Sequence, residues 1–356
     1  MSNPVLVEVL RGGRVESRHR GSVAAVDANG ATVLALGDIA QAVYPRSSIK
    51  IMQALPLIES GAANRFGFGD EELALACASH GGEPGHVAVA AGMLAAAGLD
   101  AGALECGAHW PSHQPSAQAL SRAGQDPNAL HNNCSGKHAG FVCAACASGV
   151  EHRRYVDPTH AVQREVKAAM ETLAGVRLDD APGVDGCSAP NWPMPLAALA
   201  QAFARIGSGQ GMGQERANSL ARLRAACAAK PWFVAGTGRF CTAVMEHFGA
   251  RVFVKTGAEG VFCGALPERG IGIAVKCDDG GGRASAIMMA GVIARLLPLA
   301  DADNAALAPF LRLTLRNWAG ADVGALRPTG TLLPQSERRF FPLPLWERVP
   351  ERSEGG

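Results

Sequence analysis

The sequence predicts an α+β fold in which one antiparallel sheet is flanked by a large helical region. Three observations carry that expectation. The first forty residues alternate like strands, an alanine-rich stretch from about 45 to 235 reads as helices, and strand-like alternation returns near Ala250. Strands on either side of a helical block place both ends of the chain in a single sheet.

The opening run VLVEVL turns at Gly12-Gly13 into RVESRHRGSVAAVDA, and Asn29-Gly30 separates that strand from ATVLALG. Asn-Gly between two apolar runs is the strongest short hairpin signal, because both central positions of the turn need positive φ. An N-terminal antiparallel meander follows. Beyond Pro45 the spacing becomes helical: SSIKIMQALPLIESG places Ile49, Met52 and Leu55 or Leu57 on one face, with Gly61 as a stop. EELALACASH, HVAVAAGMLAAAGL, KHAGFVCAACASG, HAVQREVKAAMETLAG and NSLARLRAACAAK continue the helical block. ARVFVKTG, EGVFCGAL and GIGIAVKCDD read as returning strands, and SAIMMAGVIARLLPLA as a closing helix. No internal repeat is visible. Residues 1–330 are expected to form one catalytic domain, and the Pro- and Arg-rich stretch 331–356 a poorly ordered tail.

Composition narrows the function. A formal net charge of +1 over 356 residues leaves no electrostatic footprint for nucleic acid or an anionic membrane. No apolar run is long enough for a membrane span, and the N-terminus lacks the pattern of a signal peptide, so a cytoplasmic protein is expected. In that setting the ten cysteines are expected as thiols, and those in polar turns read as metal or catalytic groups. Of 33 basic residues only six are lysine: Lys50, Lys137, Lys167, Lys230, Lys255 and Lys276. Lysine sheds its proton when buried and arginine effectively does not, so in a chain that uses arginine for ordinary charge each lysine is a candidate.

Ser47-Ser48-Ile49-Lys50 is the only Ser-x-x-Lys. At a helix start, residues i and i+3 share a face, which brings the Lys50 amine towards the Ser47 hydroxyl as a base. Lys255-Thr256-Gly257 ends an alternating run. Ser-x-x-Lys followed by a strand Lys-Thr-Gly is the signature of serine acyl-transfer enzymes that recognise penicillin, although their Ser-Asp-Asn element is absent. Ser79, in Cys77-Ala78-Ser79-His80-Gly81-Gly82, is a second candidate nucleophile or proton carrier. Asn132-Asn133-Cys134-Ser135-Gly136-Lys137-His138 offers a thiol, an amine and an imidazole, and Val184-Asp185-Gly186-Cys187 adds a carboxylate and a thiol. Two thiolates and a nitrogen from Lys137 or His138 suit tetrahedral zinc. Cys143 and Cys146, the only C-x-x-C, lie among alanines in a helix and read as core. Nucleotide-binding glycine loops and H-E-x-x-H are absent.

Together, RSSIKIMQALPLIE, CASHGGEPGH, NNCSGKHAGF, the Asp-Gly-Cys turn, AGTGRFCT, VKTGAEG and GIGIAVK resemble the rhizobial-type, thermolabile inducible asparaginase family. The resemblance runs from about Arg11 to Leu297 and implies the serine β-lactamase and glutaminase architecture. It implies two Ser–Lys pairs, Ser47 with Lys50 and Ser79 with Lys255. It places zinc on Cys134, Lys137 and Cys187, and substrate contacts on Arg46, Asn133, His138, Asp185 and Cys241. It also implies a homodimer that hydrolyses L-asparagine. A β-lactamase-type acyl hydrolase and a glutaminase are the competing expectations. Which serine attacks stays open, with Ser47 favoured because its lysine is one helical turn away.

Overall fold

The computed structural model describes residues 2–334. Eight strands form one antiparallel sheet: β1 (Val5–Arg11), β2 (Arg14–Asp27), β3 (Thr32–Leu36), β4 (Phe253–Thr256), β5 (Val261–Leu266), β6 (Ile271–Cys277), β7 (Leu313–Arg316) and β8 (Asp322–Pro328). The order is β7-β8-β1-β2-β6-β5-β4, with β3 also paired to β2. Strands from before and after the helical block therefore meet in one sheet, as the alternation predicts. The long strand β2 joins its two halves: residues up to Arg20 pair with β1, and those from Gly21 onward pair with β6. At the Asn29-Gly30 turn, Asp27 Oδ1 accepts the N–H groups of Asn29 and Ala31, which fixes the hairpin into β3.

Helix Leu196–Ser208 packs across β2, β5 and β6, and helix Gly282–Leu296 across β1, β5, β6 and β8. Six of the seven residues of β6 are buried, which requires cover on both faces. The first helix reaches the sheet through Gly272, where a Cβ would lie 2.0 Å from Ala200 O and 2.1 Å from Ala204 N. Both neighbours are helix backbone and cannot swing aside. Gly272→Ala is expected to cost more than about 2 kcal/mol, read as a lowered denaturant midpoint; an unchanged midpoint contradicts this close packing.

The expected helix after Pro45 is broken into a 3₁₀ turn, Arg46–Ile49, and two short helices, Lys50–Gln53 and Leu55–Glu59. Pro56 accounts for the break between the two short helices, since it lacks an N–H and crowds the carbonyl four residues back. Near the C-terminus, helix Asp301–Leu311 and the β7–β8 hairpin lie within the segment 300–330, to which the sequence reading assigned no element. The expected tail starts too early. Leu332 and Leu333 are fully buried, Leu332 against Gly291, so the core extends past Thr331. Residues 335–356 of that tail lie outside the described residues. Among the described residues, no helix is long and apolar enough to cross a membrane.

Candidate active site

The chain enters the site through a strained residue. Arg46 has φ +51°, a left-handed conformation that costs a non-glycine residue energy and concentrates at functional positions. Ser47 follows in the 3₁₀ turn, half-buried, and its hydroxyl has no hydrogen-bond partner among the described residues. Ser48 instead points inward and donates to Pro45 O at 2.7 Å. The end of edge strand β4 closes against this turn through Gly257, where a Cβ would meet Pro45 O at 2.9 Å.

Lys50 is buried, but its amine does not pair with Ser47. Its Nζ donates to Ser79 Oγ at 3.0 Å, to Asn133 O at 3.3 Å and to Ala78 O. This corrects the expected intraturn contact: three acceptors on neighbouring segments outcompete one hydroxyl on the same turn. Lys255, on β4, donates to the same Ser79 Oγ at 2.8 Å and to Thr256 O at 2.9 Å. Two lysine amines thus converge on one buried hydroxyl. Burial, with the Lys50 charge facing it, lowers the Lys255 amine to about 7. Ser79 is itself fixed, because its N–H donates to Val234 O at 2.9 Å.

Beside Ser47, the Arg46 guanidinium pairs with Asp185, Nη2 at 2.8 Å and Nε at 2.9 Å from Oδ1. Both side chains keep partial exposure, so one cation and one anion reach solvent together beside Ser47. Asp185 is held by the small hairpin Gly183–Val184 with Pro190–Asn191, and Asn191 Oδ1 accepts the Arg46 N–H at 3.3 Å. Cys241 is buried, and burial raises its thiol.

Cys134, Lys137 and Cys187 are brought together from two separate turns, all buried. Lys137 Nζ lies 3.1 Å from Cys187 Sγ. A hydrogen bond with Cys187 lowers the Cys134 thiol well below its usual value against burial, with help from the Lys50 and Lys137 amines. Burial opposes the charge on Lys137, but the Cys187 and Cys134 charges outweigh it and raise the amine. His138, next along, is buried: Nδ1 meets Tyr155 Oη at 2.7 Å and Nε2 has no partner among the described residues. Burial, then the Lys137 charge, lowers the imidazole to about 4. Two thiols and the Lys137 amine beside Cys187 are donors of the kind that zinc takes, once the amine gives up its proton. Asn133 closes this side: Oδ1 accepts from Cys134 Sγ at 3.1 Å, and the backbone N–H donates to His109 Nε2 at 2.9 Å.

Several supports escaped the sequence reading. Glu83 is buried and accepts both the N–H (2.8 Å) and the hydroxyl (2.7 Å) of Thr237, pinning the Gly-rich turn that precedes Cys241. His86 stacks between His80 and Trp232, at 4.8 and 4.0 Å between ring centroids, and His80 Nε2 meets Ser135 Oγ at 2.9 Å.

A family model described as L-asparaginase II matches residues 7–328. No curated protein matches the chain. Among solved structures, the chain is similar to a β-lactamase from Mycobacterium bovis, at 17% identity over 74% of this chain and 89% of that one, with a TM-score of 0.36. It is also similar to a protein assigned as a β-lactamase from Bacteroides dorei, at 14% identity over 73% of this chain and 85% of that one, with a TM-score of 0.37.

Proposed function

Since the chain belongs to the L-asparaginase II family, we propose that it hydrolyses L-asparagine to L-aspartate and ammonia through a serine acyl-enzyme. The observation that carries this reading is the convergence of Lys50 and Lys255 on Ser79 Oγ, with Ser47 one turn before Lys50. In this account Ser47 attacks. It is the partly exposed, unpartnered hydroxyl and follows the strained Arg46, whereas Ser79 is buried between two donors. Ser47 Oγ bonds to the side-chain carbonyl carbon; the Lys50 amine, which does not touch Ser47 at rest, turns to it to take the proton and passes its own through Ser79 to the neutral Lys255 amine. The Arg46 N–H is taken by Asn191 and the Ser48 N–H by Pro45 O, so the Ser47 N–H is the donor of this turn that receives the developing oxyanion. The carbon–nitrogen bond breaks as the same relay returns the proton to the leaving nitrogen, and water then cleaves the ester. Arg46 and Asp185 supply a cation for the α-carboxylate and an anion for the α-ammonium of the substrate. Ammonia release from an amide panel tests this function, and a fluorescent penicillin is expected to leave the protein unlabelled.

The sign of the pH dependence follows from Lys255. Its neutral form accepts the proton and grows as pH rises through about 7. The kcat/KM for asparagine is expected to fall roughly tenfold per pH unit below that point and to level off above it. A flat profile between pH 5 and 7 contradicts Lys255 as the terminal base.

Cys134, Lys137 and Cys187 would hold zinc, and Lys137 must give up its proton to do so. When bound, zinc supplies a cross-link between the turns carrying Asn133 and Asp185. Chelation is expected to raise KM more than it lowers kcat. Unchanged kinetics after chelation, with no zinc in the untreated protein by elemental analysis, contradict the assignment.

A further inference from the structure

The geometry points to a second, structural metal site for a zinc-type divalent cation on His19, Cys277 and Asp279, sharing no residue with the amide site. The three come from different segments. His19 lies on β2 opposite Val7 of β1, Cys277 ends β6 opposite Gly21, and Asp279 sits in the turn before helix Gly282–Leu296. Asp279 Oδ2 is 2.6 Å from His19 Nδ1, and Oδ1 is 2.9 Å from Cys277 Sγ. One donor atom from each residue falls within 4.8 Å of the others.

An imidazole nitrogen, a thiol and a carboxylate form a mixed donor set of the kind that borderline divalent metals take. His19 is 7% exposed, and its Nε2 has no hydrogen-bond partner among the described residues. The ring is therefore anchored only through Nδ1, on the side of the cluster. Cys277 is fully buried, while the Asp279 side chain is 51% exposed, which leaves an entry path and room for water to complete the shell. Gly281 donates its N–H to Asp279 Oδ1 at 2.9 Å and orients the carboxylate. The site spans the point where β2 passes from β1 to β6. A cation there would fasten the two halves of the sheet to each other and to the following helix.

Cobalt(II) titration of the chelator-treated full chain, followed by near-ultraviolet absorption and by thermal unfolding, tests the proposal. Cys277→Ser is expected to bind one cobalt fewer than the unaltered protein and to lose one thiolate-to-cobalt charge-transfer component. Asp279→Asn, at a half-exposed position that leaves the core intact, is expected to weaken the same site at least about tenfold. It should also reduce the rise in Tm on adding metal. These differences are read against the unaltered protein, so they hold whatever the Cys134 site binds. Equal stoichiometry and equal spectra in all three proteins overturn the proposal, as does a cobalt-dependent rise in Tm that is the same in Asp279→Asn.

Discussion

Ser47→Ala is expected to reduce asparagine turnover by at least about 10⁴-fold, because the attacking oxygen is removed while the rest of the pocket stays in place. Ser47 makes no side-chain hydrogen bond among the described residues, so the substitution costs no stability through a lost partner. Aspartate should still bind to the variant, since Arg46 and Asp185 remain paired beside the vacated position. Ser79→Ala is expected to be severe for a different reason: it cuts the bridge between two buried amines at 3.0 and 2.8 Å. A Ser47→Ala protein with near-normal kcat would transfer the attack to Ser79.

Lys50→Arg and Lys255→Arg are expected to lose activity about as completely as the alanine variants. Guanidinium stays protonated at any working pH and so passes no proton along the relay. It is also planar and bulkier, whereas Lys50 and Lys255 sit at 1% exposure, each amine fixed by more than one acceptor. Lys167 and Lys230 make ion pairs with Asp180 and Glu71 at the surface, at 2.7 and 2.8 Å, and Arg reproduces such pairs. Lys167→Arg and Lys230→Arg are therefore expected to be nearly silent in steady-state kinetics. Equal tolerance at all four positions contradicts the proton-transfer role.

The lysines show how far local reasoning reaches. Their scarcity singled out six positions, and three of them, Lys50, Lys137 and Lys255, are buried at the site while the other three bond near the surface. The partner of Lys50 was not legible. The i, i+3 spacing points to Ser47, but a long side chain in a protein interior follows the acceptors that surround it, and these come from residues 78, 79 and 133. Glu83 was invisible for the same reason, since only the fold brings Thr237 to it. The sheet was legible where strands alternate over long runs, as in β2 and β6. The β7–β8 hairpin lies inside the expected 1–330 domain but carries no predicted element, because LTLR is only four residues long and its burial is partial, although Asn317 and Gly320 are turn residues. Leu332 and Leu333 have no periodic neighbours; Leu332 packs against Gly291, and the Leu333 N–H donates to Thr329 O at 3.0 Å.

Ammonia release by the purified protein, measured side by side with L-asparagine and L-glutamine, tests the central claim most directly. In the proposed account Asp185 meets the α-ammonium and Arg46 the α-carboxylate, which sets the distance from those groups to Ser47. One extra methylene is then expected to displace the amide from that oxygen and to lower kcat/KM by about 10- to 200-fold. The account predicts steady ammonia release from asparagine and slower release from glutamine. No ammonia from either amide, with hydrolysis of a β-lactam instead, would contradict it.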